Sequence, residues 1–104
     1  MPYEEIEEVK KRFVEMLKPK EIYLFGSFAK GTQNENSDLD FYIVMPDGTE
    51  NKTDLLQKAY RSLRGLKRRS VDIVLEDVST FRKRRVENTL ERIVTKEGIL
   101  VYGE

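Results

Sequence analysis

The chain predicts an α/β sandwich in which helices cover a small sheet. Two observations point there: apolar residues recur at three- and four-residue steps in separated stretches, and short β-branched or aromatic runs alternate with them. A third is the order, helix–strand–turn–strand–helix–strand–helix with a short apolar run at the end, which suits helices laid on a sheet.

Ile6, Val9, Phe13 and Met16/Leu17 mark the first helix from about residue 3, with Pro2 suited to its first turn and Pro19 ending it. Glu21 to Phe25 (EIYLF), bounded by Pro19 and Gly26, reads as a buried strand. Asp38 to Met45 (DLDFYIVM) reads as a second, stopped by the turn Pro46-Asp47-Gly48. Leu55, Leu56, Ala59, Tyr60, Leu63 and Leu66 mark a second helix, with Asn51 or Thr53 as its cap and Gly65 near its end. Ser70 to Leu75 (SVDIVL) is the third strand. One last helix is expected from Ser79 or Thr80 to Gly98, with Val86, Leu90, Ile93 and Val94 on one face, and Ile99 to Tyr102 as a terminal strand.

The 104 residues carry 19 basic and 19 acidic side chains, 38 % hydrophobic and 37 % charged residues, and one domain over 1–104 fits that length. With no cysteine there is no disulfide scaffold or thiolate metal site, and with no histidine a zinc enzyme loses its commonest ligand. No apolar run approaches the roughly 20 residues of a membrane span, and the acidic start MPYEEIEEVKKR is unlike a signal, so a cytoplasmic protein with no membrane contact is expected. Zero net charge hides an asymmetry: residues 1–52 hold 7 bases and 11 acids, and residues 53–104 hold 12 and 8. Bases gather in Arg61, Arg64, Lys67, Arg68 and Arg69, and again in Arg82 to Arg85. They read either as solvated helix faces or as contacts to a charged partner.

Only Gly26 to Ser37 lacks periodicity. Gly26-Ser27 falls where the first strand should give way to a short helical turn, a place where backbone can approach an anion closely. Asp38 and Asp40, two apart in a predicted strand, should share a face, with Leu39, Phe41 and Ile43 on the other. Asp72 lies between Val71 and Ile73 and should point away from both. If the two strands are neighbours, the three carboxylates converge, and such a group repels itself unless a cation neutralises it. Hard oxygen ligands select Mg²⁺ or Mn²⁺. Asp38 taken alone reads rather as turn chemistry within Asn36-Ser37-Asp38 than as a ligand.

Gly26-Ser27, ten residues, then Asp38-x-Asp40, with Asp72 later between apolar residues, resembles the signature of the polymerase-β-type nucleotidyltransferases. The string GSFAKGTQNENSDLDFYIV is similar to their minimal nucleotidyltransferase (MNT) subgroup, and the likeness runs over nearly the whole chain. The resemblance implies a small mixed β-sheet flanked by helices and Mg²⁺-dependent transfer of a nucleoside monophosphate. It implies that Asp38 and Asp40 hold two metal ions, and that Asp72 holds the catalytic ion and orients or deprotonates the acceptor hydroxyl. Gly26 and Ser27 would bind the β- and γ-phosphates. Lys30 would add a charge to the triphosphate or stand as an exposed turn lysine, and Gly31 would serve the loop's geometry.

A stand-alone MNT domain of this length resembles the antitoxin of a HEPN–MNT toxin–antitoxin pair. That implies a protein adenylyltransferase moving AMP from ATP onto a tyrosine of a HEPN ribonuclease toxin, as a hetero-oligomer or with self-association. Two other readings remain: a nucleotidyltransferase acting on an aminoglycoside-like hydroxyl compound, and a non-catalytic antitoxin acting by binding alone. Partner contact or solvation ranks ahead of nucleic acid for the basic clusters, which show no aromatic interleaving. Tyr42 is expected to pack under the final helix.

Overall fold

A computed structural model describes residues 3–34, 37–66 and 70–103. Pro2, Asn36, Lys67, Arg68 and Arg69 therefore lie outside the described residues. In chain order the elements are α1 (Tyr3–Leu17), β1 (Glu21–Phe25), α2 (Ser27–Lys30), β2 (Leu39–Met45), α3 (Lys52–Arg61), β3 (Val71–Asp77), α4 (Val78–Arg84), α5 (Leu90–Glu97) and β4 (Ile99–Tyr102). The strands form one sheet in the order β3-β2-β1-β4. The sheet is mixed: β1 runs antiparallel to β2 and β4, while β2 and β3 run parallel through the connection containing α3.

Side-chain alternation along the strands builds two separate cores. Leu39, Phe41, Ile43 and Met45 of β2 join Ile22, Leu24, Ile73 and Leu75 on one face, under α1 and α3. Ile6, Val9, Phe13 and Leu17 arrive from α1 at the spacing of a helix stripe, and Phe13 meets Phe41 edge-on at 5.4 Å. On the opposite face Tyr42 and Val44 pack with Val78, Phe81 and Val94 of α4 and α5. Tyr23, Phe25 and Val74 border that second core. Helices thus cover both faces, as an interior strand as apolar as β2 requires.

Several expectations are corrected. The last helix is two: α4 ends at Arg84, and Thr89, in extended conformation, accepts from Arg92 N to cap a new helix. Val86 accordingly sits in the turn between them, 76 % exposed, and Ile93 is 46 % exposed rather than core-facing. β2 begins at Leu39, one residue later than expected, so Asp38 precedes the strand. β3 starts at Val71 and runs on to Asp77, beyond the apolar run, because its parallel pairing with β2 continues to Met45. The second helix stops at Arg61, and Leu63 and Leu66 reach the core from turns beyond it. Arg12 holds that segment by donating to the carbonyls of Ser62 (2.9 Å) and Arg64 (2.8 Å). Gly98 does end α5, but with φ −74°, so left-handed freedom is not why glycine stands there: a Cβ would collide with the Val94 carbonyl.

Candidate active site

The second core covers only part of its sheet face. Phe25 of β1 pairs with Asp40 of β2, which pairs in turn with Asp72 of β3, so the three form one row across the sheet. The neighbouring row, Tyr23–Tyr42–Val74, lies under Phe81, whose ring is 5.5 Å from Tyr23 and 5.1 Å from Tyr42. Asp40 and Asp72 sit just past that cover, Asp40 half-buried and Asp72 exposed. Their strands are neighbours, about 4.8 Å apart. Asp38 is exposed immediately before β2, where the following Leu39 N–H donates to Ser70 O at 2.9 Å.

A carboxylate in an interior strand has few neutral ways to exist. Burial pushes the Asp40 carboxyl above its ordinary range, and the charges of Asp72 and Asp38 push it further the same way. A cation beside Asp40 would relieve that repulsion. Among the described residues no three Asp or Glu side chains converge closely enough to enclose a metal ion by themselves. A cation here would complete its shell from bound phosphate and water, as Mg²⁺ commonly does.

Gly26 follows β1 directly and stands against Asp40. Its backbone (φ +77°, ψ −154°) lies in a region that only glycine enters readily. From there the chain turns into α2, anchored by the buried Phe28. Ser27, half-buried, opens α2, and Thr32 N–H closes back onto its carbonyl at 3.0 Å. Lys30, at the end of α2, lies 3.5 Å from the Glu97 carboxylate at the end of α5, both side chains about half exposed. The expected set of Gly26, Ser27, Lys30, Asp38, Asp40 and Asp72 thus sits at the meeting point of β1, α2 and the starts of β2 and β3. A cavity of about 510 Å³ lies elsewhere, floored by Leu39, Leu66 and Val71 on the other face, and none of these six lines it.

One polar group escaped the sequence reading. Glu91 is 3 % exposed, accepting from Tyr42 Oη at 2.7 Å and from Arg84 Nε at 3.0 Å. Burial raises the Glu91 carboxyl, yet the two hydrogen bonds outweigh it and hold the group below its usual range. Burial and the same bond push the Tyr42 phenol well up. Tyr42 does pack under the last helices, fully buried, two residues from Asp40 on the same face. An acid in a helix's first turn looks like ordinary N-terminal charge, so nothing in sequence marked Glu91 as buried.

Residues 6–101 match the family model of the nucleotidyltransferase domain. The chain belongs to that family. The protein adenylyltransferase MntA of Shewanella oneidensis is 43 % identical over 44 residues, which is 40 % of this chain and 32 % of that protein. The similarity thus spans about a third of the curated relative's length. A nucleotidyltransferase-type protein of Sulfolobus solfataricus shares the fold at 22 % identity and TM-score 0.68, over 97 % of this chain and 79 % of its own. A toxin–antitoxin complex crystallised with AMP-PNP matches at 29 % identity and TM-score 0.63, over 94 % and 73 %. Among the described residues no helix is long and apolar enough to cross a membrane.

Proposed function

We propose that this chain is a Mg²⁺-dependent protein adenylyltransferase of the cytoplasm, an antitoxin that moves AMP from ATP to a tyrosine of a cognate HEPN ribonuclease toxin. The observation that carries the reading is the register of Asp40 against Asp72, beside Gly26, inside a nucleotidyltransferase domain. The adenylyl donor and the toxin partner draw on the likeness to MntA and to the toxin–antitoxin complex.

Asp38, Asp40 and Asp72 would hold a pair of hard cations: burial and then the charges of Asp72 and Asp38 bear on the Asp40 carboxyl, and the sequence offers neither histidine nor cysteine as a ligand. When bound, Mg²⁺ supplies positive charge to the triphosphate and to the oxygens that attack and leave. The chain's own residues do the rest. Gly26 brings backbone within reach of the β- and γ-phosphates, and the Ser27 hydroxyl adds a donor there. Lys30 exchanges Glu97 for the triphosphate, an easy exchange because an exposed pair of this kind is weak. Asp72, exposed at the sheet's edge strand, receives the proton of the acceptor hydroxyl. The hydroxyl oxygen bonds to the α-phosphorus, the bond to the β-phosphate oxygen breaks, and pyrophosphate leaves. The partner completes the acceptor side, where Asp38 and Asp72 are exposed.

The test is incubation with Mg²⁺, α-labelled ATP and a candidate HEPN partner, followed by intact mass of the partner. Wild type should add AMP units to the toxin, and Asp38→Ala or Asp40→Ala should add none while still forming the complex. A labelled partner with either variant refutes the metal-site assignment. Neutralisation of the toxin without labelling by wild type would instead favour binding alone.

A further inference from the structure

Gly26 is usually the kind of residue assigned to ligand approach, yet its nearest neighbour in this fold is a side chain of the protein. We infer that Gly26 is a positioning residue for Asp40: its missing side chain makes the space in which the Asp40 carboxylate is held. A Cβ built on Gly26 would overlap Asp40 Oδ2 and stand 3.1 Å from Cγ and 3.4 Å from Cβ of the same residue. Among the described residues, apart from the chain neighbours Phe25 and Ser27, no other atom is as near. The Asp40 carboxylate therefore sits beside the Cα of Gly26, with Oδ2 nearest, at the row that Asp40 shares with Phe25 and Asp72.

The contact has a topological origin. β1 and β2 are antiparallel, so the residue after the last pair, Phe25–Asp40, must pass alongside the Asp40 side chain. With any larger residue there, the Asp40 side chain, which carries the three nearest atoms, would have to give way. Asp40 would then rotate off the row it shares with Asp72. The consequence for metal binding rests on the proposed role of Asp40, but the placement itself does not.

A double-mutant cycle of Gly26→Ala and Asp40→Ala in the full chain tests it, because the backbone penalty at φ +77° is the same whichever residue stands at 40. Asp40→Ala removes the two nearest atoms and leaves only the Cβ contact at 3.4 Å, an ordinary one. In the Asp40 background Gly26→Ala should lower Tm by about 3 °C or more beyond its effect in the Asp40→Ala background. Titration with Mn²⁺ alone, followed by the free-ion electron paramagnetic resonance signal, should show Gly26→Ala weakening binding about tenfold or more. Added to Asp40→Ala, the same change should weaken it no further. Equal Tm losses in both backgrounds, or unchanged Mn²⁺ binding by Gly26→Ala, overturn the inference. If Gly26→Ala alone does not fold, the double variant decides: folded supports the contact, unfolded refutes it. Failure of wild type to bind Mn²⁺ would sink the metal reading while the Tm cycle still judged Gly26.

Discussion

On the α1/α3 face of the sheet, β2 presents Leu39, Phe41, Ile43 and Met45, every one buried, against side chains that are all apolar. On the α4/α5 face the same strand presents Asp40, Tyr42 and Val44 in turn. There the cover is partial, a buried carboxylate is tied in by two hydrogen bonds, and the row nearest the strand's start is left open. One strand, read two residues at a time, therefore serves two purposes. The first face supplies folding energy by area removed from water, and the second surrenders some of it to hold charge in place.

Substitutions should separate the faces by size and sign. Phe13→Ala empties the first core beneath Phe41 and should cost about 3–5 kcal/mol in chemical denaturation, a large share of a small domain's stability. Tyr42→Phe leaves packing intact but strips a donor from buried Glu91, and should cost about 1–3 kcal/mol. Its loss should shrink in acid: Glu91 is held below its ordinary value of 4.5, so its contribution is present above that value and fades as pH falls.

Asp77→Ala removes the cap that accepts from Thr80 N at 2.8 Å and one of the two carboxylates paired with Lys52, and should cost about 1 kcal/mol at neutral pH. Backbone and lysine hydrogen bonds hold Asp77 at about 2, so wild-type stability from this group is lost as pH falls from 3.8 towards 2. The variant should lack that part of the acid limb in a pH series of thermal melts. The smallest effect has the opposite sign. Asp40→Asn should raise stability by roughly 0.2–1 kcal/mol, the scale of like charges facing across neighbouring strands. Its carboxyl is raised, so the penalty on the fold sets in as pH rises through the ordinary carboxylate range and persists above it. A variant less stable than wild type at neutral pH would break the contrast between the faces.

The first face was almost wholly legible, because Ile6, Val9, Phe13 and Leu17 repeat at helical spacing and the strand residues alternate. The second was legible in its open row and in Tyr42 and Val94, which pack under the last helices as expected. Asp40 and Asp72 stood out because charge inside an apolar run is costly, and the glycine stood out by interrupting periodicity. Its cover was misread: Val86 and Ile93 continued an apolar rhythm past Thr89, where capping by Thr89 restarts the helix. Local pattern cannot show a break that depends on where a threonine hydroxyl finds an amide.

The chain's own order of residues determined the element sequence up to the break between α4 and α5, and the family that Gly26-Ser27 and Asp38-x-Asp40 announce. These are readable because spacing along a strand or helix is local and periodic. Only the tertiary structure decided that β2 lies between β1 and β3, which puts Asp40 in register with Asp72 and against Gly26. It alone placed Glu91 beneath the surface and Lys30 beside Glu97. Those outcomes follow from strand pairing and helix docking between residues far apart in the chain, and no local spacing encodes such pairings.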